Sequence, residues 1–201
     1  MSKMHPTDDM PPSRAGTSGR REFLRFGVTA LALSGGVGKI LAGAASSPAP
    51  GPEVLIENFS AAGKSLGIVR TPKRVKTDEE WRRQLSPLAY EVTRRSGTER
   101  SFSGRYASSE ADGLYRCICC DTALYDSKTK YESGTGWPSF WQPISALNVL
   151  KIPDYSMFVE VTAISCRLCD AHLGHVFDDG PKPTGLRYCM NSVALNFVAR
   201  A

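Results

Sequence analysis

Gly185-Leu186-Arg187-Tyr188-Cys189-Met190-Asn191-Ser192-Val193-Ala194-Leu195-Asn196-Phe197 is the stretch around which the rest of the chain is organised. Read with a period of two, Arg187, Cys189, Asn191, Val193, Leu195 and Phe197 fall on one side of a strand, because successive side chains of a strand point to opposite faces. That reading places a thiol between a cation and an amide. A nearby guanidinium favours thiolate over thiol, and thiolate is the nucleophilic form, so Arg187 is expected to lower the pKa of Cys189. A lone cysteine on a half-polar strand would be read as inert packing. The spacing of the other five cysteines changes that reading.

Cys117-Ile118-Cys119-Cys120 and Cys166-Arg167-Leu168-Cys169 contain two Cys-x-x-Cys pairs with 45 residues between them. Two such pairs can bring four thiolates into a tetrahedron, each pair on a tight turn, which is the pattern of a closed structural zinc site. Two disulfides would use the same residues and suit an oxidising compartment. A protein that folds before export can load its metal in the reducing cytoplasm, and this favours zinc on Cys117, Cys120, Cys166 and Cys169. Cys119 and Cys189 are then left over.

His172 and His175 are the only histidines after residue 5, and they lie just past the second Cys pair, in Cys169-Asp170-Ala171-His172-Leu173-Gly174-His175-Val176-Phe177-Asp178-Asp179-Gly180. Tethered to a rigid knuckle, they are candidate proton donors over a thiol if the Cys189 strand packs beside them. Ser133-Gly134-Thr135-Gly136-Trp137-Pro138-Ser139-Phe140-Trp141 is a glycine-flanked aromatic turn. Clustered aromatics default to core, but the glycines and Pro138 allow a ring to be held at the surface as an apolar platform for a small methyl-bearing sulfur substrate.

Outside these motifs the chain divides into three. Residues 1–44 carry Arg20-Arg21, a weakly apolar run from Phe26 to Leu41 interrupted by Gly, Ser and Lys39, and the small residues Ala42-Gly43-Ala44. Paired arginines before such a run read as a twin-arginine export signal, which implies an export machinery as partner and the bacterial periplasm as destination. Residues 45–76, rich in Pro, Ala, Gly and Ser at their start, read as a linker and N-terminal extension. Residues 77–201 read as the folded domain. There Thr77-Asp78-Glu79-Glu80 has the capping-box pattern, and Ser86-Pro87 opens a second short helix to about Thr93. From Ser101 onward short apolar runs such as Met157 to Ile164 alternate with turn residues, which indicates antiparallel sheet. Of 25 Lys/Arg and 20 Asp/Glu overall, 6 and 3 lie in the first 44 residues, leaving 19 and 17, so the domain is nearly neutral and no nucleic-acid partner is expected.

Together the motifs resemble those of the B-type methionine sulfoxide reductases. The match runs from about Thr77 to Phe197, through Trp81-Arg82, Thr98-Glu99-Arg100, Tyr115-x-Cys117-x-x-Cys120, the 133–140 turn, Cys166-x-x-Cys169, His172 to Pro181 and Arg187 to Ser192. The resemblance implies a mainly β fold, two antiparallel sheets forming a barrel-like structure with short N-terminal helices and a four-cysteine zinc knuckle. It also implies reduction of the R epimer of methionine sulfoxide in proteins or peptides; a monomer is expected. In that scheme Cys189 is the nucleophile, assisted by Arg187, and passes through a sulfenic acid. His175, helped by His172, protonates the oxygen, Asn191 orders the polar network and Trp137 receives the substrate methyl. Many family members carry a resolving cysteine at the position of Thr135. Its absence here implies an external small thiol or thioredoxin-like reductant. A zinc-bearing interaction module would explain the knuckles without Arg187, Cys189 and the histidines, and a disulfide-exchange enzyme acting through Cys166-x-x-Cys169 would lack the expected βαβ context.

Overall fold

A computed structural model describes residues 51–155 and 161–201. The export-signal reading of residues 1–44, the start of the linker and residues 157–160 of the expected Met157–Ile164 strand lie outside the described residues.

The chain first forms a hairpin, β1 (Glu53–Phe59) and β2 (Ser65–Pro72), paired antiparallel. The sequence reading placed packing later than this, but Val54 and Ile56 alternate inward and Ile56 is buried in the core. What fastens the hairpin is a side chain acting as a strand: the buried Asn148 amide accepts from Glu57 N at 2.8 Å and donates to Glu57 O and Ala123 O at 2.8 Å each. After β2, Arg74 N donates to Leu168 O at 2.8 Å, so the extension runs against the second cysteine turn.

Two short helices follow, α1 (Asp78–Gln84) and α2 (Pro87–Arg95). The capping box is formed: Thr77 Oγ1 accepts from Glu80 N at 3.3 Å and Glu80 Oε2 accepts from Thr77 N at 2.7 Å. In α2 Ser86 caps Ala89 N, Pro87 takes the first turn, and Ser96 ends the helix with φ 57°. Trp81, Leu85, Ala89, Tyr90 and Val92 are buried at helical spacing, which fixes the face these helices turn inward.

The remaining strands are β3 (Gly113–Cys117), β4 (Ala123–Asp126), β5 (Lys130–Tyr131), β6 (Ser139–Phe140), β7 (Val149–Asp154), β8 (Val161–Cys166), β9 (His172–Phe177), β10 (Arg187–Met190) and β11 (Leu195–Ala199). They form a six-stranded antiparallel sheet in the order β5-β6-β10-β9-β8-β7 and a three-stranded antiparallel sheet in the order β11-β3-β4. The fold is therefore mainly β with two short helices. The sheets do not close into the barrel that the family resemblance implied, because β10 and β11 join different sheets.

That split also corrects the period-two reading of residues 187–197. The strand stops at Met190, Ser192–Ala194 make one 3-10 turn, and β11 starts afresh at Leu195. The cause is Glu99, whose buried carboxylate accepts from Ser192 N at 2.6 Å and Val193 N at 3.0 Å and so satisfies the backbone donors of the turn. Within β10 alternation holds: Tyr188 and Met190 are buried while Arg187 and Cys189 face the half-exposed side. The buried side meets Tyr125, stacked on Phe140 with centroids 4.4 Å apart, and Tyr115, 5.1 Å from Phe140. Tyr125 OH donates to Met190 Sδ at 3.1 Å. The Cys189 strand is anchored from below by aromatic packing.

Candidate active site and four-cysteine cluster

Register alone brings the key side chains together. Cys189 pairs with His175 on β9 and with Ser139 on β6, and His175 pairs with Ala163 on β8. Directly opposed residues of antiparallel strands share a face, so Ser139, Cys189, His175 and Ala163 form one row across the sheet. β9 and β10 can approach so closely because of Gly174, at φ +155°, where a Cβ would collide with the Cys189 carbonyl oxygen.

Above the row is a cavity of about 260 Å³ lined by Thr98, Trp137, Gly174, His175, Phe177, Cys189, Met190 and Asn191, with mostly apolar walls. Trp137 is half-buried, and its Nε1 donates to Glu99 O at 3.1 Å. Gly136, at φ +84°, carries the turn under Phe102, whose N donates to Gly136 O at 2.9 Å. Asn191 is buried: Oδ1 accepts from Glu99 N at 2.9 Å and Nδ2 donates to Leu173 O at 3.1 Å. Glu99 thus ties the Trp137 turn, Asn191 and the end of β10 through its backbone and its carboxylate. The sequence reading quoted Glu99 in a motif without a role, and its partners, 38 to 94 residues away, left no local signal.

The electrostatics of Cys189 differ from the sequence expectation. Burial pushes its thiol above the ordinary value, and this outweighs the downward pull of the Thr135 hydroxyl and of Arg187. Arg187 is engaged elsewhere as well: Nε and Nη2 hold Asp179 in a two-bond fork at 2.8 Å each, and its guanidinium lies 4.3 Å over the Phe177 ring. The pull of Arg187 on the thiol has the expected direction but does not decide the outcome. Thr135 Oγ1 sits 4.0 Å from Cys189 Sγ.

His175 Nε2 lies 2.9 Å from Asp154 Oδ2 at the end of β7, a partner the sequence reading did not identify. Asp154 is 21 residues upstream of His175 and reaches it only through the pairing of β7, β8 and β9. His172 sits behind His175, ring centroids 5.3 Å apart, and does not line the cavity. It is buried, its Nε2 has no partner among the described residues, and burial followed by the neighbouring His175 lowers its pKa to about 4. At neutral pH His172 is an uncharged support, whereas His175 faces the thiol.

The four-cysteine cluster lies apart from the cavity, which none of its residues lines. The sulfurs of Cys117, Cys120, Cys166 and Cys169 all lie within 4.8 Å of one another, with Cys117 to Cys169 at 3.6 Å and Cys120 to Cys166 at 3.5 Å. Both turns have the same construction. Asp121 N donates to Cys117 O at 2.8 Å and Asp170 N to Cys166 O at 2.9 Å, and Asp121 and Asp170 both take positive φ, 63° and 56°. α1 and α2 buttress the pair, with Gln84 donating to Cys119 O and Arg94 to Cys169 O at 2.8 Å each. All six cysteines are free thiols, and the four in the cluster can hold a metal ion. Cys119 is buried beneath the first turn.

Comparison with known proteins adds a family match and three relatives. Residues 85–199 match the family model described as the SelR domain. A protein of Pseudomonas entomophila (strain L48) named peptide methionine sulfoxide reductase MsrB is 57% identical over 125 residues, covering 62% of this chain and 95% of that one. A protein of the same name from Thioalkalivibrio sulfidiphilus (strain HL-EbGR7) is 57% identical over 125 residues, covering 61% and 90%. The rice protein named peptide methionine sulfoxide reductase B1, chloroplastic, is 54% identical over 119 residues, covering 59% and 56%.

Proposed function

This chain belongs to the B-type methionine sulfoxide reductase family, and from that premise we propose that it reduces the R epimer of methionine sulfoxide, in proteins and peptides, with electrons from an external thiol. It is an oxidoreductase that acts on methionine sulfoxide. The observation that carries the finer reading is the pairing of Cys189 with His175 on adjacent strands at the floor of a cavity walled by Trp137. A sulfoxide methyl fits the indole face while its sulfur meets the thiol.

The Cys189 thiolate attacks the sulfoxide sulfur and gives it two electrons. His175 donates its proton to the sulfoxide oxygen as the S–O bond breaks, and Asp154 holds the imidazole toward the cavity. The protonated oxygen passes to the Cys189 sulfur as the sulfur–sulfur bond formed in the attack breaks, so methionine leaves and Cys189 is left as a sulfenic acid. One external thiol then displaces that oxygen as water, forming a mixed disulfide, and a second thiol releases Cys189 and an external disulfide. This scheme needs no second cysteine of the chain. The residue 4.0 Å from the Cys189 sulfur is Thr135, a hydroxyl, and Cys119 is buried in the cysteine turn.

Zinc is the ion proposed for Cys117, Cys120, Cys166 and Cys169. Zn–S bonds of about 2.3 Å in a tetrahedron set sulfurs about 3.8 Å apart, close to the separations found, and four thiolates are the donor set this ion takes in closed structural sites. Bound there, it holds the two turns together. Residues 1–44 are proposed to direct twin-arginine export to the periplasm. Replacing Arg20 and Arg21 together by Lys should retain the protein in the cytoplasm, and continued export would refute that reading.

The test of the activity is dithiothreitol-driven reduction of the two epimers, followed by chiral chromatography. Wild type should consume only the R epimer and Cys189→Ser neither. Consumption of the S epimer, or full activity in Cys189→Ser, would overturn the assignment.

A further inference from the structure

Three hydroxyls lead away from the Cys189 sulfur. Thr135 Oγ1 is 4.0 Å from Sγ, Ser133 Oγ is 2.8 Å from Thr135 Oγ1 and 2.7 Å from Ser139 Oγ, and Ser139 Oγ donates to Trp137 O at 3.2 Å. Ser139 is fully buried and fixed opposite Cys189 by the β6–β10 pairing. Each hydroxyl has one proton to give, so the end of the chain sets its direction. With Ser139 donating to the Trp137 carbonyl, Ser133 donates to Ser139, Thr135 donates to Ser133, and Thr135 accepts from the Cys189 S–H.

We infer that Ser133, Thr135 and Ser139 are a reversible hydroxyl chain that stabilises the thiolate of Cys189. When the thiol proton passes to water, each hydroxyl turns about its C–O bond: Thr135 donates to the thiolate, Ser133 to Thr135 and Ser139 to Ser133. Only the bond to the Trp137 carbonyl is given up, and at 3.2 Å it is the longest between oxygens in the chain. A hydrogen bond to the charged form favours ionisation. It also opposes the burial that pushes this thiol up. The other titratable or charged groups around Cys189 are Arg187 on β10, His175 on β9 with Asp154 behind it, Asp179 paired to Arg187, Tyr131 on β5 and Tyr125 on β4 beneath the sheet. Among the described residues no hydrogen bond joins any of these groups to the side chains of Ser133, Thr135 or Ser139. The inference rests on the reading of Cys189 as nucleophile, but its test reads the thiol without turnover.

The experiment is the pH dependence of iodoacetamide labelling of Cys189 in the full-length protein, followed by peptide mass spectrometry. Thr135→Val keeps the shape and removes the hydroxyl, so the labelling midpoint should rise by about one pH unit, a roughly tenfold slower reaction near neutrality. Thr135→Ser should keep the wild-type midpoint. Ser139→Ala should move it the other way, downward, because Ser133 then turns to Thr135 and frees the Thr135 proton for the sulfur. An unchanged midpoint in Thr135→Val, or a rise in both Thr135→Val and Ser139→Ala, would overturn the inference. Absence of sulfoxide reduction with these shifts present would refute the enzymatic reading alone.

Discussion

The four-cysteine cluster and the Cys189 row set the same side chain in opposite surroundings. In the cluster, four sulfurs lie within 4.8 Å on two matching turns, braced by both helices and by the strand extension at Arg74. In the row, one sulfur lies half-exposed on the floor of a cavity, with a histidine, a hydroxyl and an arginine on the same side of the sheet. The difference lies in the company each thiol keeps. Four cysteine sulfurs so placed can fill a metal ion's coordination and leave no open position, the arrangement of a site that would hold shape. The single thiol of Cys189 is pushed up by burial against the pull of Thr135 and Arg187, so its ionisation depends on those neighbours and not on a metal.

The sharpest way to break this comparison is to exchange the expected failures. Cys117→Ser or Cys166→Ser should release the metal and cost on the order of 5 kcal/mol or more of stability, because metal binding and folding are coupled in such sites. Cys189→Ser should retain both, as read by metal analysis and urea unfolding. Next in size, His175→Ala should slow sulfoxide reduction roughly a hundredfold or more with the urea midpoint unchanged, as expected for loss of a general acid. An unchanged rate would remove His175 from the chemistry. Glu99→Gln should cost about 2 kcal/mol by weakening two charge-assisted bonds to the Ser192–Val193 backbone, and should lower turnover while the metal stays bound.

The remaining effect concerns His172 and has a definite sign. Its pKa is about 4 in the fold against an ordinary 6.5, so the unfolded chain binds more protons between those values. Above pH 6.5 the group is neutral in both states, and stability is lost as pH falls from 6.5 toward 4, by up to about 3 kcal/mol. His172→Gln should flatten the decline of stability over that window. A decline as steep as in wild type would show that other groups cause it.

What could be read from the sequence follows from how local each feature is. The capping box at Thr77 and Glu80, the Pro87 helix start and the two Cys-x-x-Cys turns are each closed within a few residues, and the structure contains them as expected. The pairing of Cys189 with His175 was an expectation conditional on packing, and register supplies it. Asp154, Glu99 and Asn148 act across 21 to 94 residues, so no spacing pattern marks them. The hairpin of residues 53–72 was obscured by the Pro- and Gly-rich composition before it, although Val54 and Ile56 do alternate inward. Extending the strand from Arg187 to Phe197 overlooked the backbone donors that Glu99 captures at Ser192 and Val193.

The most direct test of the division between a structural and a reactive set of thiols is a single turnover. Full-length, metal-loaded protein is mixed with one equivalent of peptide methionine R-sulfoxide without reductant, and dimedone-trapped peptides are mapped by mass spectrometry while free metal is monitored. The account predicts one sulfenic-acid adduct, on Cys189, with no disulfide and no metal released. A disulfide joining Cys119 to Cys189, or one within the four-cysteine cluster accompanied by metal release, would contradict it.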